Sequence, residues 1–174
     1  MFYVKAWYSD TEYLIASSDG VYVDTTPPQV SRTYKVIEVT SGDSNVDIDY
    51  TTDATTLHID WSNVFVDDES DLERFIVCIG TEKGQCDVTE EEITDVDTTH
   101  AQLSNLNLDT FVMYHASVTA CNMAGLCSVS HSDGVKVCFF FVFLLVFLCG
   151  KVAVMSLCVN VSYFIQNIEF KHWY

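Results

Sequence analysis

Apolar side chains recur at every second position along three stretches of this chain, residues 57–62, 75–80 and 114–121. A period of two places one set of side chains on each face of a strand, so the alternation indicates half-buried strands. Clusters of Gly, Asn and Asp separate these stretches and are typical of turns. Short strands broken by turns predict an all-β fold, an antiparallel sandwich. Its predicted core residues are Leu57, Ile59, Trp61, Leu106, Tyr114 and Val118.

The chain also contains an internal repeat. Val4 and Ala6 recur as Val118 and Ala120, and the tetrapeptide Ser-Asp-Gly-Val at residues 18–21 recurs at residues 132–135. Both matches have the same offset of 114 residues, and a unit of that length is the size of one β-sandwich domain. We therefore predict that residues 1–24 are the last strand pair of a truncated preceding repeat. Residues 25–137 are predicted to form one whole domain.

Several groups of residues resemble the fibronectin type III family. Leu57-His58-Ile59-Asp60-Trp61 looks like the second strand of that family with its core tryptophan. Leu106, with residues 114–122, 125 and 126, looks like the sixth strand and the turn after it. Residues 65–70, 79–81 and 121–128 resemble, more narrowly, the long tandem repeats of large invertebrate extracellular proteins. The resemblance covers residues 1–137 and implies an immunoglobulin-like antiparallel sandwich in an incomplete chain of a larger repeat protein.

Four cysteines stand in two closely spaced pairs. Cys78 and Cys86 flank one predicted turn, and Cys121 and Cys127 flank another. Two strands of one hairpin can bring such residues to the short Cα separation that a disulfide requires. The spacing predicts the disulfides Cys78–Cys86 and Cys121–Cys127 and an oxidising compartment. Four cysteines allow three connectivities, and the alternative is four free thiols in a reducing cytosol.

Residues 137–159 carry a single charge, Lys151. These 23 residues are long enough for a helix to cross a hydrocarbon core of about 30 Å. Their Phe, Leu and Val side chains favour insertion by roughly 5 to 9 kcal/mol, against a cost of about 3 kcal/mol for a central lysine. We predict a single transmembrane helix at 137–159 that contacts the lipid bilayer, with residues 1–136 extracellular and 160–174 a short tail. The alternative is a pair of buried strands, since the segment is rich in β-branched and aromatic residues.

Charge and motifs exclude several classes of function. The net charge of −17 argues against nucleic acid as a partner, because phosphates would be repelled. The chain has no nucleophile elbow, zinc-protease helix or phosphate-binding loop, so we expect no enzyme, no catalytic residue and no cofactor.

The densest group of oxygen ligands lies between two predicted strands. Calcium could bind at the junction between repeats to Asp67, Asp68, Glu69 and Asp71, together with Asp24. Asp24 belongs to the linker between the repeats, residues 23–28. The EF-hand spacing is absent from this segment. We therefore expect a solvated loop and no bound metal.

These features predict a non-enzymatic extracellular module that acts in adhesion or as a spacer. The module would be tethered to a membrane and would bind a protein partner through its sheet faces and loops. The alternative is a surface receptor ectodomain that binds a small molecule or a glycan. Such a receptor would need a pocket lined by converging aromatic side chains.

Overall fold

The computed structural model describes residues 1–41, 46–138, 140–146 and 152–158. The regular secondary structure of these described residues consists of β-strands alone, as the alternation predicts. The strands are β1 (Tyr3–Trp7), β2 (Tyr13–Ser17), β3 (Gln29–Val30), β4 (Ile37–Val39), β5 (Tyr50–Thr51), β6 (Leu57–Asp60), β7 (Phe65–Val66), β8 (Leu72–Gly80), β9 (Thr89–Ile93), β10 (His100–Leu103), β11 (Met113–Asn122), β12 (Cys127–His131), β13 (Val135–Val137), β14 (Phe140–Val146) and β15 (Val152–Cys158).

Two antiparallel sheets form the body of the fold. One sheet has the strand order β10-β6-β4. The other contains β9, β8 and β11 in that order, and β12 and β13 pair with successive parts of β11, residues 117–121 and 113–114. β5 joins β13 in parallel, and β3 pairs with β7 in a separate short ribbon. The arrangement is consistent with a β-sandwich.

The hydrophobic core combines residues from both sheets. Trp61 directly follows β6, and its ring centroid lies 5.4 Å from that of Phe75 in β8. Each large apolar side chain that is fully buried contributes about 1.5 to 3 kcal/mol relative to an exposed one. The backbone N–H of Asp109 donates a hydrogen bond to the buried Tyr114 hydroxyl at 2.8 Å. All six predicted core residues are buried, namely Leu57, Ile59, Trp61, Leu106, Tyr114 and Val118.

The two predicted cysteine pairs lie at disulfide distance. The Cα atoms of Cys78 and Cys86 are 5.2 Å apart, and those of Cys121 and Cys127 are 4.1 Å apart. Cys121 and Cys127 are direct partners in the β11–β12 register. Each bridge therefore connects neighbouring segments on the β8–β11 sheet.

The first two strands repeat the geometry of β11 and β12. Residues 3–7 pair with residues 17–13, and residues 117–121 pair with residues 131–127, so every pair is displaced by the same 114 residues. The Ser18 N–H donates to the Phe2 carbonyl, as the Ser132 N–H does to the Ala116 carbonyl. The rings of Trp7 and Tyr13, 4.6 Å apart, occupy the place of the second disulfide. Unlike β11, β1 is exposed throughout.

The predicted transmembrane helix differs from the structure. The described residues of the segment include β14 and β15, which pair as antiparallel strands from Phe140↔Cys158 to Val146↔Val152. Among the described residues, no helix is long and apolar enough to cross a membrane. Phe and Val dominate these strands, and such residues favour extended backbone, so the alternative of two strands fits this part of the segment better. Residues 139, 147–151 and 159–174 lie outside the described residues, and these include the whole predicted tail at 160–174.

Candidate functional site

A buried asparagine connects the linker to the sandwich. Asn122 is the last residue of β11 and is fully buried. Its amide nitrogen donates to the carboxylates of Asp24 and Asp67, at 2.7 and 3.0 Å, and to the Thr26 carbonyl at 3.0 Å. Its amide oxygen accepts from the Leu126 N–H at 2.9 Å. One side chain therefore fixes the linker, the loop after β7 and the turn after β11.

A glutamate binds the linker from the same loop. The Glu69 carboxylate accepts from the Thr25 N–H at 2.9 Å and from the N–H and hydroxyl of Thr26, at 3.2 and 3.1 Å. The Ser70 hydroxyl donates to the Asp24 carboxylate. Hydrogen bonds to charged groups are worth about 1.5 to 3 kcal/mol when they are shielded from water, and less where they are exposed. The linker is therefore bound by side chains along residues 24–26.

The predicted calcium ligands do not converge on one point. Asp67 accepts hydrogen bonds from the Ser70 and Glu69 N–H groups, and those from Ser70 and Asn122 contribute most to holding the pKa of its carboxyl below the usual range. The Asp68 carboxylate accepts from the Gln29 side chain, and Asp71 provides its carbonyl to the Met123 N–H. The expectation of a loop that is merely solvated is wrong for Asp67 and Glu69, because their carboxylates bind N–H donors of the linker and of the loop.

The structure also contains a second group of carboxylates, away from the linker. The sequence patterns did not predict this group. One carboxylate oxygen from each of Glu38, Asp47 and Asp133 lies within 4.8 Å of the others. Glu38 belongs to β4, Asp47 precedes β5, and Asp133 lies in the loop between β12 and β13. The fold therefore brings Asp133 beside Glu38 and Asp47, which lie at least 86 positions earlier in the chain.

Glu38 is the buried member of this group. Its side chain is 1% exposed, and one carboxylate oxygen, Oε1, accepts from the Ser132 hydroxyl and from the Ala116 N–H, the latter at 3.2 Å. The other oxygen, Oε2, is buried and has no hydrogen-bond partner among the described residues. The pKa of Glu38 is raised to about 7, above all by burial; the hydrogen bonds from Ser132 and Ala116 lower it, and the charge of Asp47 adds to the rise.

The two exposed carboxylates face each other across the open side of the group. Burial raises the pKa of Asp47, and the neighbouring Asp133 and Asp49 act in the same direction. In the part of the chain that the structure describes, ion pairs are made only by Arg74, with Glu73 and Glu92. No basic side chain of the described residues therefore neutralises the three carboxylates.

The repeated tetrapeptide Ser-Asp-Gly-Val is the one sequence feature noted above that includes a member of this group, Asp133. Its second copy is residues 132–135, in which Ser132 donates its hydroxyl to Glu38 and Asp133 supplies one of the carboxylates. Gly134 has a φ of +106°, and a Cβ there would come within 2.6 Å of the His115 ring. The sequence analysis found residues 132–135 only as part of the internal repeat. Glu38 lies between two apolar residues of a strand, and the sequence does not predict that it belongs to a carboxylate group.

Neither of two surface grooves near β3 and β7 favours the receptor alternative. The larger has a volume of about 470 Å³ and is open to solvent; the other lies beside it. Tyr34 is the one aromatic residue in the lining of both, whereas ligand pockets usually combine several apolar and aromatic side chains. Comparison with known proteins gives no further guide, because no family model, curated protein or solved structure matches the chain.

Proposed function

We propose that this chain is a non-enzymatic extracellular module of the fibronectin type III kind that acts as a spacer or in adhesion between neighbouring repeats. The observation that carries the proposal is the binding of the linker by Asn122 and Glu69. A flexible tether gains nothing from such contacts, whereas a spacer must transmit the orientation of one repeat to the next. Residues 24–26 therefore have the contacts that a fixed connection requires.

The strand order and one tyrosine support the family assignment within this proposal. A sheet of three strands facing a larger sheet built on β8 and β11 is the layout of immunoglobulin-like sandwiches. In such domains a tyrosine near the start of the sixth strand hydrogen-bonds backbone a few residues upstream. Tyr114, near the start of β11, accepts from the Asp109 N–H in this way.

The cysteine pairs support the extracellular part of the proposal. Disulfides persist in oxidising environments and are rare in the cytosol, and two pairs lie at disulfide distance here. Mass mapping of peptides without reduction tests this. We expect peptides linked through Cys78–Cys86 and Cys121–Cys127; four free thiols in protein from its native source would contradict an extracellular location.

Attachment to a lipid bilayer is supported by composition alone. Residues 137–159 hold one charge, Lys151, among otherwise apolar or small side chains. Alkaline extraction of membranes from cells that express the chain tests the attachment. Retention in the pellet is the expected result, and release into the supernatant would contradict it.

Hydrogen exchange tests the spacer role directly. The Thr25 and Thr26 amides donate to Glu69, so Glu69→Ala should speed their exchange by about tenfold or more, the equivalent of about 1.4 kcal/mol. Glu91→Ala, at an exposed position of β9, is the matched control and should leave both amides unchanged. Equal exchange of these two amides in both variants would show that the linker is not held by this contact and would remove the basis of the proposal.

A further inference from the structure

We propose that Glu38, Asp47 and Asp133 form a binding site for a divalent cation, with calcium as the ion that the ligands fit. The site would join β4 of one sheet to the loop before β13 of the other. The inference does not depend on the family of the chain, and it uses the proposed extracellular location only for the expected affinity. It goes beyond the spacer role, because it assigns a ligand to three residues that take no part in the linker contacts.

The geometry of the oxygens is the first support. One oxygen from each carboxylate lies within 4.8 Å of the other two. Calcium–oxygen distances of about 2.3 to 2.6 Å allow two ligands of one ion to be up to about 5 Å apart. A single calcium ion can therefore contact all three residues without a change of backbone.

The unpartnered oxygen of Glu38 is the second and independent support. Glu38 Oε1 is held by Ser132 and Ala116, which fixes the direction of the carboxylate. Its Oε2 is buried without a hydrogen-bond partner among the described residues. A buried charge is costly unless it is paired or coordinates a metal, and no basic side chain of the described part of the chain is paired with it. A cation between the three carboxylates would supply the missing partner.

The ligand chemistry selects the class of ion. All three donors are carboxylate oxygens, which suit hard cations, and neither histidine nor cysteine belongs to the group. Magnesium usually binds one or two carboxylates and demands regular octahedral geometry, whereas calcium accepts more carboxylates in irregular arrangements. Asp47 and Asp133 are exposed, which leaves room for water ligands on the open side. Open sites of this kind in extracellular modules have dissociation constants of about 10⁻⁴ to 10⁻³ M.

The first copy of the internal repeat contains the same serine and aspartate as the second copy, Ser18 and Asp19. Ser18 accepts a hydrogen bond from the Phe2 N–H at 3.0 Å, as Ser132 does from the Ala116 N–H at 2.9 Å. Asp19 and Gly20 follow it, and Gly20 has a φ of +103°, close to that of Gly134. The two copies thus share a turn that presents a serine hydroxyl and an aspartate side by side. In the second copy this turn supplies Asp133 to the carboxylate group and Ser132 as a hydrogen-bond donor to Glu38.

Thermal unfolding of the full chain with and without calcium tests the site. The protein is first stripped with a chelator, and calcium is then added to about 10 mM at constant ionic strength, at least tenfold above the expected dissociation constant. The melting temperature of the wild type should rise by about 4 to 10 °C. Asp47→Asn and Asp133→Asn are exposed substitutions that should abolish most of this rise. Asp97→Asn, on an exposed turn, is the matched control and should keep the full rise.

Glu38→Gln gives a signature that simple damage to the fold would not produce. At about pH 8, above the pKa of Glu38, the variant removes a buried charge, so it should melt at a higher temperature than the wild type without calcium and gain nothing when calcium is added. An equal rise in all variants would show general screening of the acidic surface and would overturn the proposal. The absence of any rise in the wild type would overturn it as well.

Discussion

Replacing Glu38 with glutamine should remove a large part of the pH dependence of stability. The buried carboxyl has its pKa raised from 4.5 to about 7 in the folded chain. Below pH 4.5 it is protonated in both the folded and the unfolded chain, so its contribution to stability is fully present. Between pH 4.5 and 7 the unfolded chain releases this proton while the folded chain keeps it, and stability falls as the pH rises. At about 1.4 kcal/mol for each pH unit, the loss across this range is about 3 kcal/mol.

Other groups titrate in the same range and must be separated from Glu38. The raised pKa of Asp47 acts in the same direction, since it also favours the folded chain at lower pH. The pKa of His131 is lowered by burial and by Lys83 and His115, so this residue costs stability as the pH falls below its usual value of 6.5. The difference between wild type and Glu38→Gln cancels the contributions that the two proteins share. Glutamine can still accept the bonds from Ser132 and Ala116 through its carbonyl.

Urea unfolding at a series of pH values, with a chelator present, measures this difference. From about pH 4.5 to pH 7.5, the free energy of unfolding of Glu38→Gln should gain about 3 kcal/mol relative to the wild type. Glu91→Gln, on the exposed β9, is the control and should follow the wild type. Parallel curves for Glu38→Gln and wild type across this range would refute the assignment of Glu38 as a buried carboxyl that keeps its proton in the folded chain.

The remaining predictions concern the sandwich and the junction. Tyr114→Phe should cost about 1 kcal/mol, because it removes the acceptor of the Asp109 N–H, and urea unfolding would show it. The double variant Cys121→Ala, Cys127→Ala should lose about 2 kcal/mol, the chain-entropy value for so short a loop, and reduction should then have no further effect at that site. Asn122→Ala should cost about 2 to 4 kcal/mol, since it leaves Asp24 and Asp67 without their shared donor; Asn107→Ala, at an exposed loop position, should be near neutral.

The sequence predicted those features that depend on neighbours in the chain. The alternation around Trp61 and Val118 placed both in the core, because the side-chain period of a strand is a local property. The spacing of Cys121 and Cys127 gave their pairing for the same reason, since one tight turn fixes both positions. The helix predicted at 137–159 is not found in the described residues 140–146 and 152–158, because hydrophobicity and length say little about backbone conformation, and β14 and β15 follow the content of Phe and Val.

The carboxylate group could not be predicted in this way, because it depends on how two sheets meet. Glu38 and Asp133 are 95 positions apart, and nothing in either neighbourhood encodes the other. The two hairpins show the difference clearly. β1 and β2 reproduce the register of β11 and β12 residue by residue, even though Trp7 and Tyr13 replace the disulfide, so the hairpin geometry is a property of the local sequence. The serine and aspartate of the repeated turn acquire a chemical role in the second copy because β4 brings Glu38 beside them. A repeat found in sequence can therefore identify half of a site, and the fold must supply the other half.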